Sequence, residues 1–392
     1  MRSVYLDYNA TRPIRPEVVD AMTEAWRKTG GNPASGHQPG RAARALLEDA
    51  REGILTLVGA ETAGKDRARL IFTSGGTEAN NLAVLGMAWA RTGGLPGECI
   101  VSSLEHPSVL RPAEHLLDLG WRLHTIPATT DGLIRTDWPA DTVSPQTAVV
   151  SVMAVNHELG TIQPIRDVSR ICEAMGVPFH TDAVQAAGKI PLEFRSWGVS
   201  AMTLAAHKLG GPVGIGALVL RGETPISPIL FGGEQQGGLR PGTECPALAV
   251  GMWKALQLSC EELEETARRL ADLRRYFEQR LKQAIPYIRI HGESAARVCQ
   301  TVSVGIPGAD NQVLFTGLDL AGIACSIGSA CTSGSPEPSP TLLAVGASRD
   351  EVRGSLRFSF GPDTTRQDLD YTVEVLSRMT AGLRGKTATR RL

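Results

Sequence analysis

The chain has 392 residues, of which 42% are hydrophobic and 21% are charged, and its formal net charge is −1. This length predicts two domains, and a nearly neutral chain gives no electrostatic reason to expect nucleic acid or an anionic membrane as a partner. The sequence has no apolar run as long as a membrane span and no secretory-signal layout at its N-terminus. Seven scattered cysteines argue against a disulfide framework and favour a reducing cytoplasm.

Predicted helices and strands alternate through the first two thirds of the chain. Apolar positions at helical spacing predict helices, and short apolar β-rich runs predict strands. Helices are predicted at 17–28, 40–58, from 76, near 108–119 and near 165–175, and strands at 69–73, 98–103, 148–155, 177–183, 200–206 and 214–221. Continuous apolar strands separated by helices predict an α/β fold with a large, mostly parallel sheet that is covered on both faces.

The last third of the chain has a different pattern. Residues 246–283 are predicted to form one long helix or a kinked pair, which ends before Pro286 and could join two domains. Short strand patterns and a helix near 310–321 follow, and they predict a smaller mixed α/β domain. We predict a large domain at 15–255 and a small domain made of 1–14 plus 256–392.

Polar residues cluster directly after four of the predicted strands. These clusters are Ser74–Thr77, Asn156–Glu158, Asp182–Gln185 and His207–Lys208. Because the carboxyl ends of parallel strands meet at one edge of a sheet, where such sheets bind ligands, we expect the four clusters to form one site.

Three residues in these clusters suit a carbonyl cofactor that carries a nitrogen-containing ring. Lys208 follows an apolar strand and precedes a glycine-rich turn. A desolvated lysine can form a Schiff base, whereas a lysine in a surface loop is the ordinary alternative. Asp182 could face the ring nitrogen of pyridoxal phosphate or cap a helix. Gln185 could hydrogen-bond the ring oxygen of the same cofactor.

Other candidates suit the phosphate and the ring of such a cofactor. Gly76 and Thr77 begin a predicted helix, whose free N–H groups could bind a phosphate or be capped by nearby side chains. His106 follows a strand and could stack on a pyridine ring, although a loop histidine bonded to backbone is the alternative.

Three further residues suit an amino-acid substrate. Arg357 lies in an apolar strand, so its guanidinium needs a carboxylate, either from the substrate or from a structural ion pair. Asn32 and Asn156 lie in tight turns, where they could contact the substrate or merely form the turn. No metal site is predicted.

One cysteine precedes a stretch of small and turn-forming residues. Cys331 lies in GSACTSGSPEPS, within the loop at 328–340. Such composition favours exposed, irregular backbone. The thiol therefore either has no function in a surface loop or belongs to a group that must move. Cys325 lies in an apolar run and is predicted to be a small buried residue.

Taken together, the motifs resemble those of the cysteine desulfurases, which are pyridoxal phosphate enzymes of the class-V, aspartate aminotransferase-like fold. The matching segments, in order over nearly the whole chain, are DYNAT (7–11), GNPASGH (31–37), TSGGTEANNLA (73–83), EHPSV (105–109), HTDAVQAAGK (180–189), HKLGGPVGIGAL (207–218), RPGTE (240–244), GSACTSGSPEPS (328–339) and RFSFG (357–361). The form GSACTSGS resembles the subgroup that supplies sulfur for iron–sulfur clusters and tRNA thiolation.

The resemblance implies a role for each candidate. It implies a Schiff base on Lys208, a persulfide on Cys331 that is passed to an acceptor protein, and an obligate homodimer. The implied cofactor contacts are Gly76, Thr77, His106, Asn156, Asp182, Gln185, His207, Lys208 and, from the second subunit, Thr243. The implied contacts to the carboxylate of L-cysteine are Asn32 and Arg357, with Asn156 near the substrate.

The chain also departs from the family pattern. Ala205 stands where the family usually has a phosphate-binding Ser or Thr, and Thr203 is the candidate to replace it. GGEQQGG at 232–238 lacks an acid and an arginine, Arg12 replaces a usual threonine, and Cys245 replaces an asparagine. These changes bear on the rate, the partner and the substrate more than on the cofactor.

Other functions share parts of this pattern. A selenocysteine lyase has the same fold, the lysine and a loop cysteine, while another class-V lyase or aminotransferase would not need the thiol loop. A non-catalytic scaffold or regulator of the same fold is the alternative outside enzymes. The presence of Lys208, Asp182, His106, Arg357 and Cys331 argues against that last alternative.

Overall fold

The computed structural model describes residues 2–138, 142–328 and 338–381. Its largest sheet has seven strands, and most of their residues are buried. They are β2 (Arg69–Thr73), β3 (Glu98–Ser102), β4 (Arg122–Ile126), β5 (Thr147–Ser151), β6 (Phe179–Asp182), β7 (Ala201–Ala205) and β8 (Gly216–Leu220). Their order across the sheet is β2-β8-β7-β6-β5-β3-β4.

The strands of this sheet are mostly parallel, as the sequence predicts. The neighbours β4, β3, β5, β6 and β7 all pair in parallel. Only β8 is reversed, and it pairs antiparallel with both β7 and β2, so β2 runs in the same direction as β7. The carboxyl ends of β2, β3, β5, β6 and β7 therefore lie along one edge of the sheet.

Helices cover both faces of the seven-stranded sheet. Alternate residues of β3 show this, because Ile100 belongs to one hydrophobic cluster while Cys99 and Val101 belong to another, as expected for a strand buried on both faces. The helices are α1 (Pro16–Lys28), α2 (Gln38–Leu57), α3 (Gly76–Asn81), a π-helical turn (Leu82–Gly86), α4 (Met87–Thr92), α5 (Pro107–Asp118), α6 (Ile165–Ala174), α7 (Phe194–Trp197) and α8 (Pro246–Glu261).

A second, smaller layer is built from the two ends of the chain. Its strands are β1 (Val4–Tyr5), β9 (Arg289–Ile290), β10 (Thr301–Gly305), β11 (Ile323–Ala324) and β12 (Ser355–Ser359), and its helices are α9 (Leu263–Ala284), α10 (Asn311–Leu320), α11 (Pro340–Ala344), α12 (Arg349–Arg353) and α13 (Arg366–Thr380). Strands β12, β10 and β9 form an antiparallel three-stranded sheet, and β1 pairs in parallel with β11.

The small layer has a hydrophobic cluster of its own. Phe277 of α9 lies edge-to-face against Phe358 and Phe360, with ring centroids 5.3 Å and 5.6 Å apart. Val4 and Leu6 from the N-terminus join this cluster. The cluster is consistent with a small domain made from both ends of the chain, and the exact division at residues 14 and 255 stays a prediction.

The helical region 246–283 is a pair, which is one of the two alternatives that the sequence predicts. The two helices are separated at Glu262, whose carboxylate accepts hydrogen bonds from Arg15 at 2.7 and 2.8 Å. The structure differs from the sequence prediction at other elements. Strand β5 ends at Ser151, before the predicted 155. Strand β4 and helix α13 were not predicted. No helix among the described residues is long and apolar enough to cross a membrane.

Candidate active site

A cavity of about 300 Å³ opens at the carboxyl edge of the seven-stranded sheet. Its walls come from the segments that follow β2, β3, β5, β6 and β7, from the N-terminal segment and from β12. The lining residues are Asn9, Ala10, Gly76, Thr77, Asn80, His106, Ser108, Met153, Val155, His157, Asp182, Val184, Gln185, Ala205, His207, Lys208 and Arg357. The predicted convergence of strand ends on one site is therefore observed.

Lys208 reaches this cavity from the 3₁₀ turn that directly follows β7. Its Nζ donates hydrogen bonds to the backbone carbonyls of Asn9 and Ala10, each at 2.7 Å. The turn after Lys208 requires a glycine at position 211. A Cβ on Gly211 would lie only 2.9 Å from the carbonyl oxygen of Ala206. The lysine is thus fixed at the cavity wall and is not a surface loop residue.

Asp182 ends β6 and is only 5% exposed. Its Oδ1 accepts the backbone N–H of Val184 at 2.9 Å, and its Oδ2 accepts Asn80 Nδ2 at 2.7 Å. Both sequence interpretations are partly met, since the carboxylate bonds to the following turn and also lines the cavity.

Asn80 links Asp182 to His106. The same Nδ2 group that donates to Asp182 also donates to Ser108 Oγ at 2.8 Å. Ser108 Oγ lies 2.7 Å from His106 Nδ1, which also accepts the Ser108 backbone N–H at 3.1 Å. Asn80 is not among the predicted site residues, although its place one helical turn after Gly76 puts it on the same face of the helix.

Two histidines stand together in the wall. The rings of His106 and His157 lie edge-to-face with centroids 5.3 Å apart. Burial lowers the pKa of His106, and it lowers the pKa of His157 well below its usual value. His106 is therefore neutral near pH 7, and because Nδ1 accepts hydrogen bonds its ring hydrogen lies on Nε2. His157, which sequence analysis named only within a cluster, has both ring nitrogens buried without a hydrogen-bond partner among the described residues.

The end of the cavity near β2 has the features of an anion site. Gly76 begins helix α3, so the first N–H groups of that helix are unused within it. A Cβ at this position would lie 3.0 Å from Val184 Cγ2, which shows how tightly the backbone is packed there. His207 completes this end of the wall, and burial followed by the charge of Lys208 lowers its pKa to about 4.

Asn9 is a cavity residue that sequence analysis named only within the DYNAT motif. Its backbone carbonyl accepts Lys208 Nζ and also Gln185 Nε2, the latter at 2.9 Å. Its side-chain Nδ2 donates to Thr301 Oγ1 at 2.8 Å and to the carbonyl of His157 at 3.3 Å. Asn9 therefore fixes the N-terminal segment between the two layers.

Arg357 enters the cavity wall from the middle of β12 and is 2% exposed. Its Nη2 pairs with Asp7 Oδ1 at 2.9 Å, and its Nη1 donates to the carbonyl of His157 at 3.0 Å. The structural ion pair that the sequence left open is present. The guanidinium also lines the cavity, so both interpretations apply to different parts of one side chain.

Four predicted site residues do not line this cavity. Asn156 is bonded within its own turn, where Oδ1 accepts the N–H groups of residues 158 and 159. Thr203 is buried on β7, and its hydroxyl lies 3.0 Å from His180 Nε2. Asn32 and Thr243 are exposed. Cys331, with most of the 328–340 loop, lies outside the described residues. All these assignments stay predictions.

Comparison with known proteins decides the family. A model described as aminotransferase class-V matches residues 4–372. The cysteine desulfurase IscS of Dictyoglomus turgidum is 39% identical over 384 residues, which cover 98% of this chain and 96% of that protein. The chain belongs to the cysteine desulfurase family. This membership confirms the resemblance that the motifs carry.

Solved structures confirm the class-V aminotransferase fold. A NifS-like protein is 30% identical, with a TM-score of 0.88 over 97% of this chain and 100% of that chain. SspA, solved in complex with cysteine, is 30% identical, with a TM-score of 0.79 over 93% of this chain and 100% of that chain.

The residues of this cysteine desulfurase family member fit pyridoxal phosphate. The buried side chain of Asp182 suits a protonated ring nitrogen. A lysine amine fixed at the wall suits an aldehyde, and a helix start without a side chain at Gly76 suits a phosphate. The Oδ1 atom of Asn80 is buried without a hydrogen-bond partner among the described residues, so a polar atom of the cavity wall beside Asp182 is left open to a bound group.

Proposed function

We propose that this chain is a pyridoxal phosphate-dependent cysteine desulfurase that takes sulfur from L-cysteine, releases L-alanine and transfers the sulfur to Cys331. One observation carries the proposal: Lys208 and Asp182, from two different strands, line the same cavity. That pair is what an enzyme needs to hold a carbonyl cofactor by an amine and to keep its ring protonated.

The wall residues divide the work of holding the cofactor. Asp182 would accept the ring N–H, Gln185 would bond the ring oxygen, and Gly76, Thr77 and His207 would hold the phosphate. Pyridoxal phosphate, when bound, would supply an electron-withdrawing ring that stabilises negative charge on the α-carbon of the substrate. His106 would pack against the ring, with its orientation set by Ser108.

Proton transfer is assigned to Lys208 and His106. The Nζ of Lys208 would take the proton from the substrate α-carbon, and the carbonyls of Asn9 and Ala10 keep that nitrogen at the wall. His106 would act with a neutral ring, because burial lowers its pKa. Arg357, with Asn32, would bind the carboxylate of the substrate.

Sulfur transfer is assigned to Cys331. Its thiolate would attack the sulfur of the bound cysteine, so that an S–S bond forms while the bond between sulfur and the β-carbon breaks. The electron pair of the broken bond stays with the carbon skeleton, which is protonated and leaves as alanine. One cysteine and one thiol thus give one alanine and one persulfide, and no outside oxidant or reductant is needed.

The proposal includes a homodimer and a sulfur-acceptor protein in the cytoplasm. Thr243 would reach the phosphate of the second subunit, and its exposed position supports this. Phe231, in the same segment, is 84% exposed, and an aromatic ring so exposed favours an interface. Delivery of sulfur to iron–sulfur assembly or to tRNA thiolation follows from the GSACTSGS resemblance alone.

The test is alanine release from L-cysteine by the wild type and by Cys331→Ala, with Cys245→Ala as an exposed-cysteine control. We expect all three proteins to bind pyridoxal phosphate and to show its visible absorbance. We expect Cys331→Ala to lose alanine and persulfide formation by on the order of a hundredfold or more, with Cys245→Ala close to the wild type.

Two results would contradict this proposal. Alanine release by Cys331→Ala at the wild-type rate would show that this thiol does not take the sulfur. Activity of the wild type and of Cys331→Ala on selenocysteine, with none on cysteine, would identify a selenocysteine lyase instead.

A further inference from the structure

A second lysine lies behind the candidate active site. Lys189 follows the turn after β6, and its Nζ donates a hydrogen bond to Gln185 Oε1. It does not line the main cavity; instead it lines a separate space of about 30 Å³ behind Lys208, which Cys299 also lines. Lys189 therefore contacts Gln185 on the side away from the cofactor cavity.

Gln185 is held between a donor and an acceptor. Its Nε2 donates to the backbone carbonyl of Asn9 at 2.9 Å, and its Oε1 accepts from Lys189. A carbonyl oxygen can only accept, so it cannot face Oε1, and the lysine N–H groups favour Oε1 over Nε2. The two neighbours together give the amide one orientation, in which the NH₂ group is on the Asn9 side.

This orientation decides what Gln185 offers to a ligand. An amide NH₂ group has two N–H bonds, and the described residues engage one of them, through Asn9. Gln185 lines the main cavity, so it presents a donor there and suits an oxygen that accepts. The ring oxygen of pyridoxal phosphate is such an acceptor.

We propose that Lys189 is a positioning residue that fixes the Gln185 amide as a hydrogen-bond donor to the ring oxygen of the cofactor. The inference rests on the proposed function, since that function places pyridoxal phosphate in this cavity. Lys189 acts through Gln185 and touches neither the cofactor nor the substrate.

The surroundings of Lys189 are consistent with this structural task. Burial lowers its pKa well below the usual 10.5, and the positive charges of Lys208, Arg12 and Arg357 lower it further, while Cys299 opposes them. Either protonation state keeps N–H bonds for Gln185 Oε1.

The test measures cofactor binding to the full chain after the cofactor has been removed. Pyridoxal phosphate is compared with the analogue in which hydrogen replaces the ring hydroxyl, and the ratio of the two dissociation constants reports the contact to the ring oxygen. Variants are Lys189→Met, which removes the donor, and Lys189→Gln, which keeps a polar group but no longer fixes the amide. Lys65→Met, at an exposed turn, is the control.

For the wild type and for Lys65→Met we expect the hydroxyl to strengthen binding about tenfold or more, as for a hydrogen bond to a charged group. In Lys189→Met this ratio falls to about threefold or less, and in Lys189→Gln it takes an intermediate value. Since both ligands carry the same aldehyde and phosphate, general damage to the site cancels in the ratio.

The other possible outcomes overturn either the inference about Lys189 or the proposed function. A wild-type ratio in Lys189→Met, or in Lys189→Gln where the methionine variant does not fold, shows that Lys189 does not position Gln185. A wild type that binds both ligands equally shows that Gln185 makes no bond to the ring oxygen, which also overturns the inference. A wild type that binds neither ligand overturns the proposed function itself.

Discussion

The seven-stranded and the three-stranded sheets contribute to the cavity in different ways. The large sheet supplies residues at or just beyond the carboxyl ends of its strands, such as Asp182, the last residue of β6, and Lys208, in the turn after β7. The three-stranded sheet supplies Arg357 from the middle of β12, opposite Ser303 of β10. One sheet therefore presents its edge to the site, and the other presents a face.

This difference separates two kinds of functional residue. A residue beyond a strand end is free of the β-ladder, so its backbone can turn and hydrogen bonds can place its side chain. Lys208 is such a residue, and its Nζ bonds to the carbonyls of Asn9 and Ala10. A residue within a ladder has its direction fixed by the alternation of the strand. The side chain of Arg357 is thus held at the interface between the two layers before any ligand binds.

The largest expected effect is a loss of stability when the buried Arg357 side chain is replaced. In Arg357→Met, the Asp7 carboxylate and the His157 carbonyl lose their guanidinium donors. Breaking a buried pair by removing one partner costs about 3–5 kcal/mol, so urea unfolding should show a loss in the free energy of unfolding of that order. Arg378→Met, at an ion pair whose side chains are 67% and 66% exposed, should lose less than about 1 kcal/mol.

If both arginine variants lose the same small amount of unfolding free energy, the proposed difference between the two sheets is wrong. Arg357 would then have no structural part, and its position would be explained by substrate binding alone.

A smaller effect is expected at the edge of the large sheet, after β3. Glu105 is 3% exposed, its Oε1 accepts the Met153 N–H at 2.7 Å, and burial raises its pKa to about 8 from an ordinary 4.5. A raised carboxyl pKa gives stability that is present below pH 4.5 and is lost as pH rises through about 8. Glu105→Gln should remove this loss, on the order of 2–3 kcal/mol between pH 5 and pH 8.

The measurement is the free energy of unfolding across that pH range for the wild type and the glutamine variant. Glu114→Gln, whose side chain is 48% exposed, is the control and should follow the wild-type curve. If the Glu105→Gln and wild-type curves run parallel from pH 5 to pH 8, Glu105 does not carry the pH dependence.

The smallest effect sharpens the comparison on β7 itself, between a residue inside the ladder and one at its end. Thr203→Val removes the hydroxyl at His180 Nε2, which should lower the free energy of unfolding by about 1–2 kcal/mol and leave pyridoxal phosphate affinity unchanged. Ala205→Ser adds a hydroxyl to the cavity wall and should tighten cofactor binding by about 1 kcal/mol, or roughly fivefold.

Titration of the cofactor-free chain with pyridoxal phosphate, together with urea unfolding, separates these two effects. Weaker cofactor binding in Thr203→Val would support the prediction that Thr203 replaces the missing hydroxyl at 205. That result would also show that the Thr203 hydroxyl does more than bond to His180.

Much of the site was predictable because the apolar strands end in polar runs. Runs rich in apolar residues predicted buried strands at 177–183 and 200–206, and apolar packing gave no reason for Asp182 and Lys208 at or just after their carboxyl ends. The motif resemblance extended this reasoning to Gly76, His106 and Gln185, which all line the cavity.

The partners of these residues were not predictable from spacing. Asn80, Asn9 and His157 are brought to the cavity by separate elements, and which elements meet depends on the strand order across the sheet. Thr203 shows the same limit, since nothing in its own strand indicates that His180 on the neighbouring strand uses its hydroxyl.

The sequence by itself determined the periodicity of each element, the family and the residue types that the chemistry needs. Only the tertiary structure decided which donor meets which acceptor: Gln185 with Lys189, Arg357 with Asp7, and Lys208 with the Asn9 carbonyl. The physical reason is that periodicity is a local property of the chain. Hydrogen-bond pairing in a buried site instead depends on distances between segments far apart in sequence, and these are set when the two layers pack.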